Sequence, residues 1–200
     1  MATSGQSNEK RDPMFNPGDI LGFSGSCFTS DLVNIATYGW PRWDLSHVAI
    51  LATYKNKLFI FESTTLDTEP CEITGKKIAG VQAHNLDKTI KEYEGKVYHY
   101  PLTKLIDDEQ NKKLSEFLFD MLGISYNMIG AFRAGGVGFS HIEGILHKEN
   151  LHSIFCSELC AAAHREIGIL ETVNAAHFNP NHLVRWEIYK NILAGHLRIK

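Results

Sequence analysis

Ser46-His-Val-Ala-Ile-Leu-Ala-Thr53, then Tyr54-Lys55-Asn56, then Lys57-Leu-Phe-Ile-Phe-Glu-Ser63 is the stretch on which the fold turns. Both arms are rich in Val, Ile and Phe, and a short polar break separates them, which predicts an antiparallel hairpin. With Lys55 and Asn56 at the centre of the turn, the register places His47 opposite Thr64. Glu62 then lies one diagonal step from His47 on the same face. Facing residues in such a ladder are about 5 Å apart and diagonal ones about 7 to 8 Å, so an imidazole and a carboxylate become neighbours.

Far downstream stands Phe155-Cys156-Ser157-Glu158-Leu159, at the start of an apolar pattern that predicts a helix over 155–167. Its position puts Cys156 in the first turn, where free backbone amides and the helix dipole favour a thiolate and a developing oxyanion. A thiol needs a base, and that base needs a group to hold its ring. Cys156, His47 and Glu62 are therefore candidates for a cysteine nucleophile, its general base and the orienting acid. Each has a plainer alternative: a packed small thiol, a core histidine, and an acid that ends a strand. Packing is the expectation for Cys27 and Cys71.

Around these elements, Asn16-Pro17-Gly18 turns the chain into a strand at Asp19–Phe23. A helix is expected over Cys27–Tyr38, ended by Gly39 and Pro41. Strands are expected at Ile78–Ala83 and Val97–Pro101, and a helix at Ile106–Leu122 with Asp107, Asp108 and Glu109 in its first turn. Residues 133–153 hold Gly135, Gly136, Gly138 and Gly144 and show no period, which fits either a flap beside the site or a plain surface loop. Asn179-Pro180 opens the last segment.

Cys156, Cys160 and His164 recur every four residues, with His152 nearby. A zinc site there meets a geometric objection, because a continuous helix spreads three such residues over about 12 Å. The expectation is no metal and no cofactor, with Cys160 in the core beneath Cys156.

The 200 residues, 44% of them hydrophobic, suffice for one domain with a sizeable core, expected over 16–200 behind a disordered tail at 1–15. The formal net charge of -3, with both signs interspersed, argues against nucleic acid as a partner. The polar start has no secretory leader and no apolar run reaches about 18 residues, so a cytoplasmic chain without membrane insertion is expected. Four cysteines at this length point to free thiols.

Six landmarks, in order, resemble a known family: Pro17-Gly18-Asp19-Ile-Leu, Leu45-Ser46-His47-Val-Ala-Ile50, Phe61-Glu62-Ser63, Gly123-Ile-Ser-Tyr126-Asn127, Phe155-Cys156-Ser157-Glu158-Leu159 and Asn179-Pro180-Asn181-His182-Leu183. The chain is similar to the circularly permuted papain-like enzymes of the NlpC-type cysteine amidase and peptidase superfamily, in particular the YiiX-like branch. That resemblance implies an α+β fold in which an antiparallel sheet packs against the nucleophile helix. It also implies Cys156 as nucleophile, His47 as general base and acid, and Glu62 as orienting group. The expected reaction is hydrolysis of an amide bond in a small peptide or aminoacyl substrate through an acyl-enzyme. Tyr38, Trp43 and Tyr126 are candidates for substrate binding, and Trp40 is a further aromatic near His47, with a core role as the alternative for the aromatics beside His47. A thioesterase or lipid acyltransferase, as in lecithin:retinol acyltransferase relatives, and a non-catalytic binding module are the rival readings. Phe155 and Asn127 depart from the family pattern, which often has Asp or Tyr before the thiol and Asp after Gly-x-x-Tyr.

Overall fold

The computed structural model describes residues 14–25, 45–124, 155–171 and 179–200. The expected helix at Cys27–Tyr38, the glycine-rich stretch 133–153, and Tyr38, Trp40, Trp43, Tyr126 and His152 lie outside the described residues.

The chain forms β1 (Ile20–Ser24), β2 (His47–Tyr54), β3 (Lys57–Thr64), β4 (Gly80–Asn85), α1 (Leu86–Glu92), β5 (Lys96–Tyr100), α2 (Asp108–Met121), α3 (Phe155–Glu166), α4 (Pro180–Tyr189) and β6 (Leu197–Arg198). The strands make one six-stranded sheet in the order β4-β3-β2-β1-β5-β6, and every neighbouring pair is antiparallel. The class is α+β. Among the described residues, no helix is long and apolar enough to cross a membrane.

The β2–β3 hairpin follows the expected register, with Ile50 opposite Phe61 and Tyr54 opposite Lys57. Lys55 and Asn56 both have positive φ, 47° and 63°. Left-handed backbone at both central residues gives a turn twisted like the strands it joins.

Alternation along the strands sorts side chains onto two faces. Ile20, Val48, Ile50, Phe61 and Val81 face a core shared with Leu114 and Leu118 of α2, Leu159 and Ala163 of α3, and Leu183 of α4. Leu21, Phe23, Ala49, Leu51 and Ile60 face a smaller core closed by Phe15 and by Leu86 of α1. β2 is thus apolar on both faces, which is why its sequence reads as a nearly unbroken hydrophobic run.

Several boundaries differ from expectation. Phe15, at the edge of the expected tail, is buried, and its ring packs 4.8 Å from that of His99. The strand expected at Ile78–Ala83 is Gly80–Asn85, and it runs directly into α1. Asn85 makes that switch by accepting the Lys88 backbone N–H at 2.9 Å as N-cap. Asp107 is the N-cap of α2 and forms a capping box with Gln110, so only Asp108 and Glu109 occupy the first turn. The short β6 has too few residues to leave a periodic signal.

Candidate active site

His47 opens β2, and its backbone is tied down on both sides. Ser46 donates its N–H and its hydroxyl to Phe23 O, at 2.9 and 3.1 Å. The Asn181 side chain in α4 accepts the Leu45 N–H at 3.1 Å and donates to Leu45 O at 3.2 Å. An amide paired with both groups of one residue fixes the chain as it enters β2. Asn179, the N-cap of α4, accepts the His182 N–H at 2.8 Å, and Pro180 follows in the first turn.

The His47 ring is buried beside Phe23, with ring centroids 5.7 Å apart. Its Nε2 lies 2.6 Å from Glu62 Oε2 on the neighbouring strand. With Nε2 committed there, Nδ1 is the ring nitrogen left for the Cys156 thiol, which is within hydrogen-bonding reach of the imidazole. Cys156 is the second residue of α3, so its backbone N–H has no acceptor within the helix. α3 packs over β2 and β3 and brings this turn to the hairpin.

The electrostatics follow from this order. Burial pulls the His47 proton affinity down, but the negative charge of Cys156 and its hydrogen bond, reinforced by Glu62, outweigh burial and raise the imidazolium pKa to about 10. Burial likewise pushes Glu62 up; the hydrogen bond and charge of His47, with a smaller contribution from His84, win and hold its carboxyl below the usual range. The charged forms of His47 and Glu62 thus support one another across the two strands. Cys160, one turn further along α3 and fully buried, behaves oppositely. Desolvation, with repulsion from Cys156 and Glu187, pushes its thiol well above the ordinary value. It is a core residue, as expected.

No family model matches this chain, and no curated protein does. Among solved structures, the chain is similar to one titled as the crystal structure of the metalloprotein yiiX from Escherichia coli O157:H7, at 18% identity and a TM-score of 0.48, over 89% of this chain and 82% of that one.

Among the described residues, no three His, Cys, Asp or Glu side chains gather in a way that would hold a metal ion. His164, one of the residues at zinc-like spacing, is committed elsewhere. Its Nδ1 lies 2.8 Å from Glu187 Oε1 and its Nε2 2.8 Å from Gly18 O, deep in the core. Gly18 O can only accept, so His164 donates to it from Nε2, while Nδ1 shares a hydrogen bond with Glu187. Attraction to Glu187 outweighs burial and raises its pKa. The described cysteines, Cys71, Cys156 and Cys160, are all free thiols. Cys71 is packed, as expected, and also accepts the Ala83 N–H at 3.4 Å.

Three participants were not read from the sequence. Gln82 and His84 reach the Glu62 side of the sheet from β4, and Asn181 clamps Leu45. The β3–β4 register decides the first two, and no local pattern announces it. Asn181 stood inside a quoted landmark, but its contact crosses most of the chain.

Proposed function

We propose that this chain is a metal-independent cysteine hydrolase with a permuted papain-like, NlpC-type architecture, cleaving an amide bond in a small peptide or aminoacyl substrate. The observation that carries the proposal is the His47 ring, bound to Glu62 through Nε2 and within reach of the Cys156 thiol at the start of α3. A buried histidine bridging a carboxylate and a helix-start thiol is the arrangement that nucleophilic catalysis requires.

In the proposed reaction the Cys156 thiolate adds to the amide carbonyl carbon, and the backbone N–H of Cys156 supplies one donor to the resulting oxyanion. The His47 imidazolium gives its proton to the leaving nitrogen, the C–N bond breaks, and an amine departs from a thioester. Neutral His47 then takes a proton from water as the oxygen attacks that thioester. Collapse of the second tetrahedral species releases a carboxylic acid and the thiolate. Glu62 stays ionised throughout, holding the ring and stabilising its charge.

The test is the site-resolved alkylation rate of all four cysteines with iodoacetamide at neutral pH, in wild type and in His47→Ala. Cys156 should react fastest and slow sharply without His47, with Cys71 and Cys160 unaffected by the substitution. A Cys156 that reacts equally in both proteins sinks the nucleophile assignment. With the pair established, peptide and aminoacyl amides should turn over; acylation by thioesters alone would turn the reading to an acyltransferase or thioesterase.

A further inference from the structure

The Glu62 carboxylate has two oxygens, and two different histidines address them. Oε2 takes the His47 Nε2 hydrogen bond at 2.6 Å, while Oε1 faces His84 Nε2 at 3.6 Å. Glu62 stands directly opposite Gln82 in the β3–β4 ladder, and His84, two residues on, shares that side of β4.

Gln82 settles which groups donate. It is buried, and its Nε2 donates to the main-chain oxygens of Ile78 and Leu66, the latter at 2.8 Å. Carbonyl oxygens only accept, so the amide cannot be turned over without losing both bonds. Its Oε1 therefore points the other way, 3.1 Å from His84 Nε2. An amide oxygen also only accepts, so His84 Nε2 carries a hydrogen. The same nitrogen stands 3.6 Å from Glu62 Oε1, so the polar N–H end of His84 is held beside the carboxylate.

We infer that His84, oriented by Gln82, is a positioning residue that fixes the Glu62 carboxylate for His47. The inference rests on the cysteine-hydrolase reading above. The last torsion of a glutamate is soft, so a carboxylate held by one bond can swing its plane. A donor facing the second oxygen removes that freedom. At 3.6 Å the contact is longer than a hydrogen bond, and it acts as an electrostatic contact between two partly buried side chains, screened less than it would be in open water. His84 never meets substrate in this scheme. It acts on the Cys156–His47 pair through Glu62, and Gln82 acts through His84.

The experiment uses the full chain in four forms, wild type, His47→Ala, His84→Leu and His84→Gln, with folding checked by circular dichroism. Two readouts are taken at neutral pH: the Cys156 alkylation rate with iodoacetamide and the low-field proton resonance of the His47 Nε2–H···Glu62 hydrogen bond. In His84→Leu the rate should fall between about tenfold and about a hundredfold, as misplacement of a reacting pair produces, and the resonance should broaden or vanish. His84→Gln, whose amide N–H donates from nearly the same place, should restore both; a packing role would not discriminate in this way.

If His84→Leu keeps the wild-type rate and resonance while His47→Ala is slow, the inference about His84 is overturned and the hydrolase reading stands. If His84→Gln is as impaired as His84→Leu, the inference is overturned as well. If wild type and His47→Ala alkylate equally, the hydrolase reading fails first and takes the inference with it. Should His84→Leu fail to fold, His84→Asn replaces it as the variant too short to reach Glu62, and the same outcomes decide.

Discussion

At Glu62, one side chain links a strand position legible in the sequence to a chemistry that depends on its neighbours. The residue is ionised, partly buried and hydrogen-bonded to His47 at 2.6 Å. Glu62→Gln keeps the size and removes the charge. In related hydrolase logic, a neutral amide in place of the carboxylate selects the wrong imidazole tautomer at a cost of up to about 10⁴-fold in turnover. Glu62→Gln should therefore retain the wild-type circular dichroism spectrum while slowing Cys156 alkylation by orders of magnitude; wild-type reactivity would remove Glu62 from the site. Cys160 provides the opposite case. It is a fully buried neutral thiol, so Cys160→Ala should cost about 1 kcal/mol in denaturant unfolding and leave Cys156 reactivity intact. Loss of reactivity in a folded Cys160→Ala protein would mean that the wrong thiol was assigned.

At the scale of elements, the hairpin and the four described helices are the parts most dependent on local rules. Lys55 and Asn56 set the turn, the turn sets the register, and the register puts Glu62 diagonal to His47. α4 shows two polar residues with different jobs. Asn179 caps the helix from a partly exposed position, whereas the buried Asn181 side chain holds both backbone groups of Leu45. Asn179→Ala should cost about 1 kcal/mol, the usual worth of a cap. Asn181→Ala should cost more, about 2 to 3 kcal/mol, because it strands a buried N–H and C=O. Chemical denaturation of the two variants checks the order, and Asn181→Ala should in addition slow Cys156 alkylation by loosening the entry to His47. Equal stability losses with unchanged reactivity would show that the clamp does not bear on the site.

Across the whole molecule, buried histidine–carboxylate pairs join segments remote in sequence. Asp19 accepts from His99 Nε2 at 2.8 Å and from the Leu102 N–H at 2.9 Å, tying β1 to the end of β5. Gly18, with φ at 90°, turns its carbonyl to His164, which also holds Glu187. The pairs made by His47 and His164 make stability depend on pH. His47 and His164 have folded pKa values raised above the reference of 6.5, so their contribution is fully present below that pH and is lost as pH rises through the folded values, about 10 for His47. Glu62 is depressed below its reference of 4.5, so its contribution is present above that pH and is lost as pH falls through the folded value. Unfolding free energy should therefore fall off below about pH 4.5 and again on the alkaline side, and a combined His164→Gln, Glu187→Gln variant should flatten part of the alkaline decline. An unchanged alkaline slope in that variant would show that the His164 pair carries none of it.

The sequence by itself determined what short-range stereochemistry controls: the β2–β3 register from a two-residue turn, the helix phase that places Cys156 in a first turn, and the residue types of the candidate site. It also marked Asp107-Asp108-Glu109 as a helix start, and Asn179-Pro180 as the opening of the last segment. Only the tertiary structure decided that Gln82 and His84 stand behind Glu62, that Asn181 reaches Leu45, and that His164 meets Glu187 and Gly18 in the core. Those outcomes depend on how irregular connections return the chain to the sheet. A histidine in a strand or helix has the same local propensity whichever distant partner it meets, and only the packed whole supplies that partner.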